Sequence, residues 1–497
     1  MVAAMPLTLR QRRPGLILFL SGLNLILLQF LVMHEFTSLI MGSELVILFV
    51  LVAYFLGYSI GYFLSDRVSD RFIVGFSLVT LATHMTFPFG PRAAFTWLAV
   101  TVSPAAALGG ILGFGFALVA GYYSLFLPKF IRVQGAASLA RLYGLELAGA
   151  ITGIALVGLL IQRPPGLLAA AYIGILAAIV LLVIGRDRWA PAAAVAAAAF
   201  YSIALAPLNA WSTEYYFRQF RGQPDARVIE TVYSPYTKID VVQSDGRPQL
   251  YLNGNLNYGS WALQHFNFFL AALPARLRPD GDVLILGSGS LSSVAWVAPR
   301  ARSVTTVELD AEMARVGQTH FKELNRVAET RNWRLVIDDG KHFLSNSPDQ
   351  YDVIIVDIPT PAYIQTALLH TREFYALARA HLRPGGVLSV ALSDYFSPEG
   401  QTSRRVLAGI AAVFPQYYVV NSMRLAGRSF ALAGDRLEFD RDRIAAEIRA
   451  YDDRDSLTVL TPEEAEPVIG DAAPLSAHDL GLVLKLSWWR LRAVYFR

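Results

Sequence analysis

The chain has 497 residues, 54% of them hydrophobic and 16% charged. That length exceeds one ordinary domain, and that composition points away from a soluble enzyme and toward membrane segments. A net charge of +4 is too small to argue for a nucleic-acid partner, and the lack of cysteine excludes disulfides, thiolate metal sites and a cysteine nucleophile.

The N-terminus places Arg10, Arg12 and Arg13 before a long apolar run with no small-residue cleavage site, which reads as a membrane anchor. Apolar stretches at 15–33, 44–64, 72–87, 142–161, 166–184 and, more weakly, 191–205 follow, each near the ~20 residues that cross a bilayer. The stretch 93–127 is too long for one upright span and contains Pro104 and Gly109-Gly110, so it reads as one tilted helix or two segments with a break. Gly144, Gly149, Gly153 and Gly158 recur at near-helical spacing, which lets helices approach closely. Gln29, His84 and Glu146 lie inside apolar runs, with Glu35 and Glu44 at their edges. Ionisable groups in a membrane are functional candidates. The competing account places Glu35 and Glu44 among headgroups, has His84 donating to a carbonyl, and leaves Glu146 near the interface beside Arg141. No series of charges crosses the spans as a relay needs, so that account is preferred.

Residues 211–256 carry short strand-like pieces at 226–231, 237–243 and 249–252, with turn signals at Asp245-Gly246 and Asn253-Gly254, and predict a β-hairpin layer. A helical stretch at 257–274 leads to the segment 283–310, VLILGSGSLSSVAWVAPRARSVTTVELD. Here an apolar strand ends in Gly287-Ser288-Gly289, a small-residue helix follows, and a second strand ends in Glu308. This is the first βαβ unit of a doubly wound sheet. Its glycines let backbone approach a ligand, and a carboxylate about 20 residues on is placed for ribose hydroxyls. The third glycine of a dinucleotide fingerprint is replaced by Ser292. Strands are then predicted at 334–337, ending in Asp338-Asp339-Gly340, at 351–356, ending in Asp357, and at 387–392, 417–420 and 429–432. Helices are predicted at 311–325, 371–381 and 404–413. Acids thus recur at carboxyl ends of strands, where open α/β sheets bind ligands.

The pattern resembles the spermidine synthase family, the polyamine aminopropyltransferases, in the branch with an N-terminal multi-span membrane domain. The residues that carry the resemblance are Ser234-Pro235-Tyr236, LYLNGNLNYGS at 250–260, the glycine turn, VELD at 307–310, IDDGKHFL, YDVIIVDIPTP and TREFYALARAHLRPGG. It implies an α-helical membrane domain followed by an α/β Rossmann-like, class I methyltransferase-type domain with an N-terminal β-hairpin layer. The expected boundaries are 1–210 for the membrane domain, 211–256 for the hairpin lead-in, 257–435 for the nucleoside-binding domain and 436–497 for a C-terminal extension. The implied substrate is S-adenosylmethionine or its decarboxylated form, with no metal. Gly287 and Gly289 match the turn against the adenosyl group, Glu308 the acid for the ribose hydroxyls, and Asp339 the acid beside the adenine amine. Asp357 matches the catalytic strand end, and Tyr236 and Asn257 also fall in the implied nucleoside site. A carboxylate suits each role, accepting paired bonds from a diol or one from an amine.

The departures are as informative. The family's Gly-Gly-Gly-Asp-Gly turn is here Gly287-Ser288-Gly289-Ser290-Leu291, and the second acid of its Asp-x-x-Asp-Pro motif is Thr360. An acidic pair falls on Ala262-Leu263, a His-Glu pair on Asn267-Phe268, and two glutamines on Thr237 and Asn257. Polyamine charges need counter-charges when buried, so the amine pocket is expected to be altered while the nucleoside half survives. Asp394-Tyr395 reads equally as pocket wall or plain loop. The C-terminal 484–497, with Trp488, Trp489, Arg490, Arg492 and Arg497, reads equally as membrane-interface element or closing element.

The favoured expectation is a membrane-bound enzyme releasing methylthioadenosine, either an aminopropyl-type transferase with an unusual acceptor or a lyase using the substrate's own carboxylate. The alternatives are an S-adenosylmethionine-dependent methyltransferase and a non-catalytic adenosyl-ligand sensor or transporter. A nicotinamide oxidoreductase ranks last. Expected partners are the adenosyl substrate and the lipid bilayer, with no nucleic acid and with a homo-oligomer left open. Cytosolic adenosyl donors imply a multi-pass cell (inner) membrane protein whose globular half is cytoplasmic. With Arg10–Arg13 also inside, that demands an even number of crossings, about eight.

Overall fold

The computed structural model describes residues 13–40, 43–65, 67–160, 165–259, 261–423, 427–452, 457–479 and 481–496. The chain divides into two compact units, one of residues 1–246, 252–255 and 490–497, the other of 247–251 and 256–489.

The first unit is built on helices α1 (Pro14–Ile40), α2 (Ser43–Leu64), α3 (Asp70–His84), α4 (Phe89–Thr101), α5 (Pro104–Ala120), α6 (Phe126–Gln134), α7 (Leu139–Leu160), α8 (Pro165–Val183) and α9 (Ala190–Gln219). Among the described residues, five helices are long and apolar enough to cross a membrane. Two bent pairs, α3 with α4 at 74° and the α5–α6 region at 41°, raise the number to seven if each pair is one span. The ambiguous stretch 93–127 is therefore broken. α4 ends at Thr101, Ser103 caps the next helix with its Oγ accepting from Ala106 N, and Pro104 opens α5. Two of the four glycines of α7 serve close packing as expected: a Cβ on Gly149 would sit 1.9 Å from the Phe19 carbonyl oxygen, and one on Gly153 2.7 Å from that of Leu23, while Gly144 and Gly158 have open space around them.

Two polar residues, Glu35 and His84, differ from their sequence expectation, and the surroundings of Glu146 are now defined. Glu35 is not among headgroups; it is 2% exposed and lies between Arg92 and Lys238, whose Nζ is 3.3 Å away. The Arg92 guanidinium also donates to Asn209 Oδ1 at 2.7 Å and Thr213 Oγ1 at 2.6 Å, so the buried charges are paired and hydrogen-bonded. His84 bonds the Tyr172 hydroxyl and not a carbonyl. Glu146 is 7% exposed, with the Tyr58 hydroxyl donating to it.

Ion pairs also fix which helix ends share a face. Lys129 Nζ lies 3.6 Å from Asp70 Oδ1, and Arg13 Nε lies 3.5 Å from Asp187 Oδ2. The chain starts of α1, α3 and α7 and the α8–α9 connection therefore gather at one end of the helices. Residues 70 and 129 therefore lie at the same end of the helices, which bears on the even number of crossings expected from the sequence. The strands that follow α9, β1 (Arg227–Tyr233) and β2 (Lys238–Ser244), lie at the opposite end, where Lys238 meets Glu35. β1 and β2 pair antiparallel, giving the first half of the expected hairpin layer.

The second unit contains β3 (Arg247–Leu252), whose last residue falls in the first unit, and β4 (Asn255–Tyr258), which begins there. Asn253 and Gly254 between them both hold positive φ, 48° and 73°, as the turn signal requires. The unit's main sheet comprises β5 (Gly281–Gly287), β6 (Ala301–Glu308), β7 (Trp333–Ile337), β8 (Tyr351–Asp357), β9 (Leu382–Ala391), β10 (Gln416–Ser422), β11 (Arg428–Gly434) and β12 (Leu457–Leu460). Its order is β12-β10-β11-β9-β8-β5-β6-β7. β7, β6, β5, β8 and β9 run parallel, and β11, β10 and β12 add an antiparallel wing. Every strand expected after residue 280 is present. β12 lies beyond the expected boundary at 435 and completes the edge of the same sheet. The expected helix 311–325 is interrupted at Phe321, and the helix expected over 257–274 begins only at Trp261 because β4 occupies its first residues.

Two apolar clusters cover the sheet's faces, one with Leu284, Leu286, Ile354 and Val356, the other with Val283, Ile285, Val353 and Ile355. Alternate residues of β5 and β8 thus point to opposite faces, as a sheet buried on both sides requires. The order reverses between β5 and β8: β6 follows on one side of β5, and β8 lies on the other. That is the switch point where such sheets bind ligands, outside the carboxyl ends of the strands.

Candidate active site

At the switch point Gly287 ends β5 and pairs in register with Asp357, which ends β8. Ser288 N donates to the Asp357 carbonyl at 3.1 Å, holding the turn to the neighbouring strand. Gly287 has φ +87°, and a Cβ there would lie 2.5 Å from the Asp357 carbonyl oxygen, so both conformation and space demand glycine. Ser288 and Leu291 stand where the resembling family has glycine, yet they hold φ values of +105° and +61°. The turn keeps a glycine-type path with side chains in place, a strained arrangement of the kind found at functional sites.

Glu308 ends β6 beside this turn. Its Oε2 accepts from Gly289 N at 3.3 Å and its Oε1 from Asp310 N at 3.1 Å. Burial pushes the Glu308 carboxyl up to about 7, with the neighbouring charges of Asp310 and Asp357 adding to the rise and the two backbone donors opposing it. Asp357 is also raised by burial, while the Ser293 hydroxyl, which donates to its Oδ2, pulls the other way. Ser293 is fully buried in the helix Ser292–Val297 that follows the turn.

Asp339, one residue beyond the Asp338 that follows β7, caps the helix Gly340–Asn346, its Oδ1 accepting from His342 N at 2.9 Å. Asp339 Oδ2 has no protein partner among the described residues. Asn257 reaches the turn, its Oδ1 lying 3.1 Å from where a Cβ on Gly289 would stand. The structure therefore brings Gly287, Gly289, Glu308, Asp357 and Asn257 together, with Asp339 at the end of the strand adjoining Glu308. Tyr236 belongs to the first unit, in the turn between β1 and β2, where its N–H meets Ser234 Oγ at 3.1 Å and its side chain is 43% exposed.

Asp394 proves to be a loop anchor, accepting from Ser403 N at 2.7 Å before the turns of the helix Gln401–Ala411. Trp488 and Trp489 lie exposed on the helix Gly481–Tyr495, whose Leu482 and Val483 are buried. Asn267 Nδ2 donates to Ser292 Oγ at 2.7 Å, and Phe268 is fully buried, stacked on Tyr451 at 3.7 Å. Sequence reasoning missed Ser293. Its only signal was a second small polar residue directly after the glycine turn, one helical position from Ser292.

Residues 267–426 match the family described as the spermine/spermidine synthase domain. A polyamine aminopropyltransferase of Oceanobacillus iheyensis is 33% identical over 184 residues, covering 35% of this chain and 35% of that protein. One from Saccharolobus islandicus is 28% identical over 271 residues, covering 49% of this chain and 86% of the relative. The chain thus spans about a third of the length of the first relative. A spermidine synthase solved in complex with the transition state analogue AdoDATO is 21% identical with a TM-score of 0.40, over 53% of this chain and 89% of that one.

Proposed function

We propose that the second unit is a transferase of the aminopropyltransferase type. It cleaves a carbon–sulfur bond of decarboxylated S-adenosylmethionine, or of S-adenosylmethionine itself, and releases methylthioadenosine. The observation that carries this reading is the pairing of Gly287 with Asp357 at the switch point, beside Glu308. Ionised Glu308 accepts from both ribose hydroxyls, Asp339 Oδ2 takes the adenine amine, and Gly289 and Asn257 border the nucleoside. The sulfonium arm then runs toward Asp357, whose negative charge favours the cation. A nucleophile's lone pair attacks the methylene carbon next to sulfur, and the carbon–sulfur pair leaves on sulfur as a neutral thioether. An amine nucleophile sheds one proton, for which Asp357 is the acceptor. When the substrate's own carboxylate attacks, a lactone forms and no proton moves.

The acceptor side supports the altered-pocket reading. Phe268 is committed to the core, Asn267 bonds a serine, and Thr360 supplies no charge. A polycation finds few counter-charges here, so putrescine and spermidine are poor acceptors. Asp357→Asn tests the assignment. It should retain adenosyl binding by calorimetry and lose turnover by at least about a hundredfold; full turnover in that variant contradicts the role.

The first unit, in this reading, is an integral membrane domain, supported by its five long apolar helices and by exposed Phe55, Phe63, Ile154, Leu159 and Ile203. With residues 70 and 129 at one end of the helices, this reading gives five or seven crossings, an odd number, so that the start of α1 and the end of α9 would lie on opposite sides. A cytoplasmic catalytic unit then requires an external N-terminus. Lys129, Arg132, Arg141, Arg186 and Arg188, which share the N-terminal face, argue for the reverse under the positive-inside rule.

A further inference from the structure

Between α1, α2 and α7 of the first unit lies a cavity of about 330 Å³, lined by Gln29, Tyr54, Tyr58, Tyr143 and Glu146 among apolar side chains. It belongs to the first unit alone, and no step above uses it. Its position follows from close packing. A Cβ on Gly22 would be 2.1 Å from the Glu146 carbonyl oxygen, so α1 and α7 touch backbone to backbone at this level. Glu146 is seven positions into α7, about 10 Å along the helix from its start. A carboxylate at that depth is inside the ~30 Å hydrocarbon layer if α7 spans it.

The lining is graded. Tyr58 donates to Glu146, and the Tyr54 ring lies 4.8 Å from that of Tyr58. Tyr143 is one helical turn from Glu146 on the same helix. Farther along, toward the other end of α2, the walls are Met33, Ile47, Val50 and Leu51. Ile47, Leu51, Phe55, Tyr143 and Leu147 are 45–65% exposed, so the cavity opens sideways onto the surface that would face lipid. Among the described residues, no lysine, arginine or histidine pairs with Glu146. A carboxylate buried without a counter-charge in such surroundings is costly. Glu35, in the same unit, shows the contrasting case, with two cations in contact.

We infer that this cavity binds a lipid-soluble amine: an ammonium head against Glu146 and the tyrosine rings, and an alkyl tail along Met33, Ile47, Val50 and Leu51. The carboxylate supplies the counter-charge, and the ring faces add cation–π attraction. A volume of about 330 Å³ falls within the ~300–1,000 Å³ of small-ligand sites. The inference rests on the membrane reading and is independent of the reaction proposed for the second unit.

The test uses the full chain in lipid nanodiscs with a dodecylamine carrying a diazirine, followed by peptide mapping. Saturable labelling of α2 and α7 peptides is expected, displaced by dodecylamine and not by dodecanol. Glu146→Gln, which keeps a partner for Tyr58, should weaken labelling at least about tenfold, equivalent to about 1.4 kcal/mol. Leu147→Trp, which narrows the cavity and leaves the carboxylate in place, should also lose the label. Unsaturable labelling, equal competition by dodecanol, or unchanged labelling in either variant overturns the proposal. Release of the chain from membranes by alkaline carbonate removes the membrane reading and the site with it. A retained chain without saturable labelling removes the site alone.

Discussion

Gly287 and Asp357 face each other as the last paired residues of β5 and β8, and the absent side chain of the first makes room for the backbone of the second. Gly287→Ala forces a Cβ to within 2.5 Å of the Asp357 carbonyl oxygen at φ +87°. It should lower stability by about 1–3 kcal/mol and displace the catalytic strand end. Ser288→Gly should act oppositely, relieving strain at φ +105° and raising stability by about 1 kcal/mol. Urea unfolding of both variants checks the pair. A neutral Gly287→Ala would show that the turn is not as tight as the geometry requires.

Glu308 gives a pH signature. Its carboxyl rises from 4.5 to about 7 on folding. The folded chain therefore holds a proton that the unfolded chain has lost across that interval, and stability contributed by this group falls as pH rises from 4.5 to 7. Ribose hydroxyls need the ionised form, so adenosyl affinity moves the other way, rising as pH passes 7. Methylthioadenosine titrated by calorimetry should bind about tenfold more weakly at pH 6 than at pH 8. Glu308→Gln should bind weakly at both. A flat profile in the native chain would remove Glu308 from the diol site.

Ser293 acts on Asp357. Removing its hydroxyl leaves burial unopposed by that donor, and the Asp357 carboxyl rises further. In Ser293→Ala the alkaline shift of the lower limb of the kcat profile, by roughly one pH unit, is the readout that a merely structural role would not give. KM for the adenosyl substrate should stay near its native value. Loss of binding with an unshifted profile would assign Ser293 to packing.

In the membrane reading, sidedness follows from two ion pairs, Lys129 with Asp70 and Arg13 with Asp187. Reporters at the N-terminus and at Gly222, which follows α9, should give opposite sides of the membrane. Signals from the same side would contradict the odd crossing number.

Much of the second unit was legible in advance because its signals are local. Apolar runs ending in glycine or acid placed β5, β6 and β8, and the carboxyl-end rule placed Glu308 and Asp357 at one site. The second half of β4, residues 257–258, was read as helix because its pairing, not its composition, makes it a strand. The charged network of Glu35, Arg92 and Lys238 was illegible, since its members lie far apart in sequence and each alone looks like an interface residue. The crossing parity was hard to read for a related reason: a hydropathy pattern counts apolar stretches but not where a bent pair returns. Asp394 read equally as pocket wall or plain loop, because the partners that anchor it, backbone amides eight and nine residues away, leave no local signal in the sequence.

The central claim is which carbon–sulfur bond breaks, and the nucleoside product reports it. In the proposed function Gly289, Glu308 and Asp339 fix the adenosyl group, leaving the amino-acid arm to reach Asp357, and orientation of this kind selects that arm for attack. The measurement is chromatography of reactions of the purified full chain with S-adenosylmethionine and with its decarboxylated form, each without and with candidate amines. Methylthioadenosine is the predicted product, lost in Asp357→Asn, and its formation from S-adenosylmethionine without an amine identifies the lyase route. S-adenosylhomocysteine in its place would contradict the account and make the enzyme a methyltransferase, and no product from either donor would make the second unit a binding module.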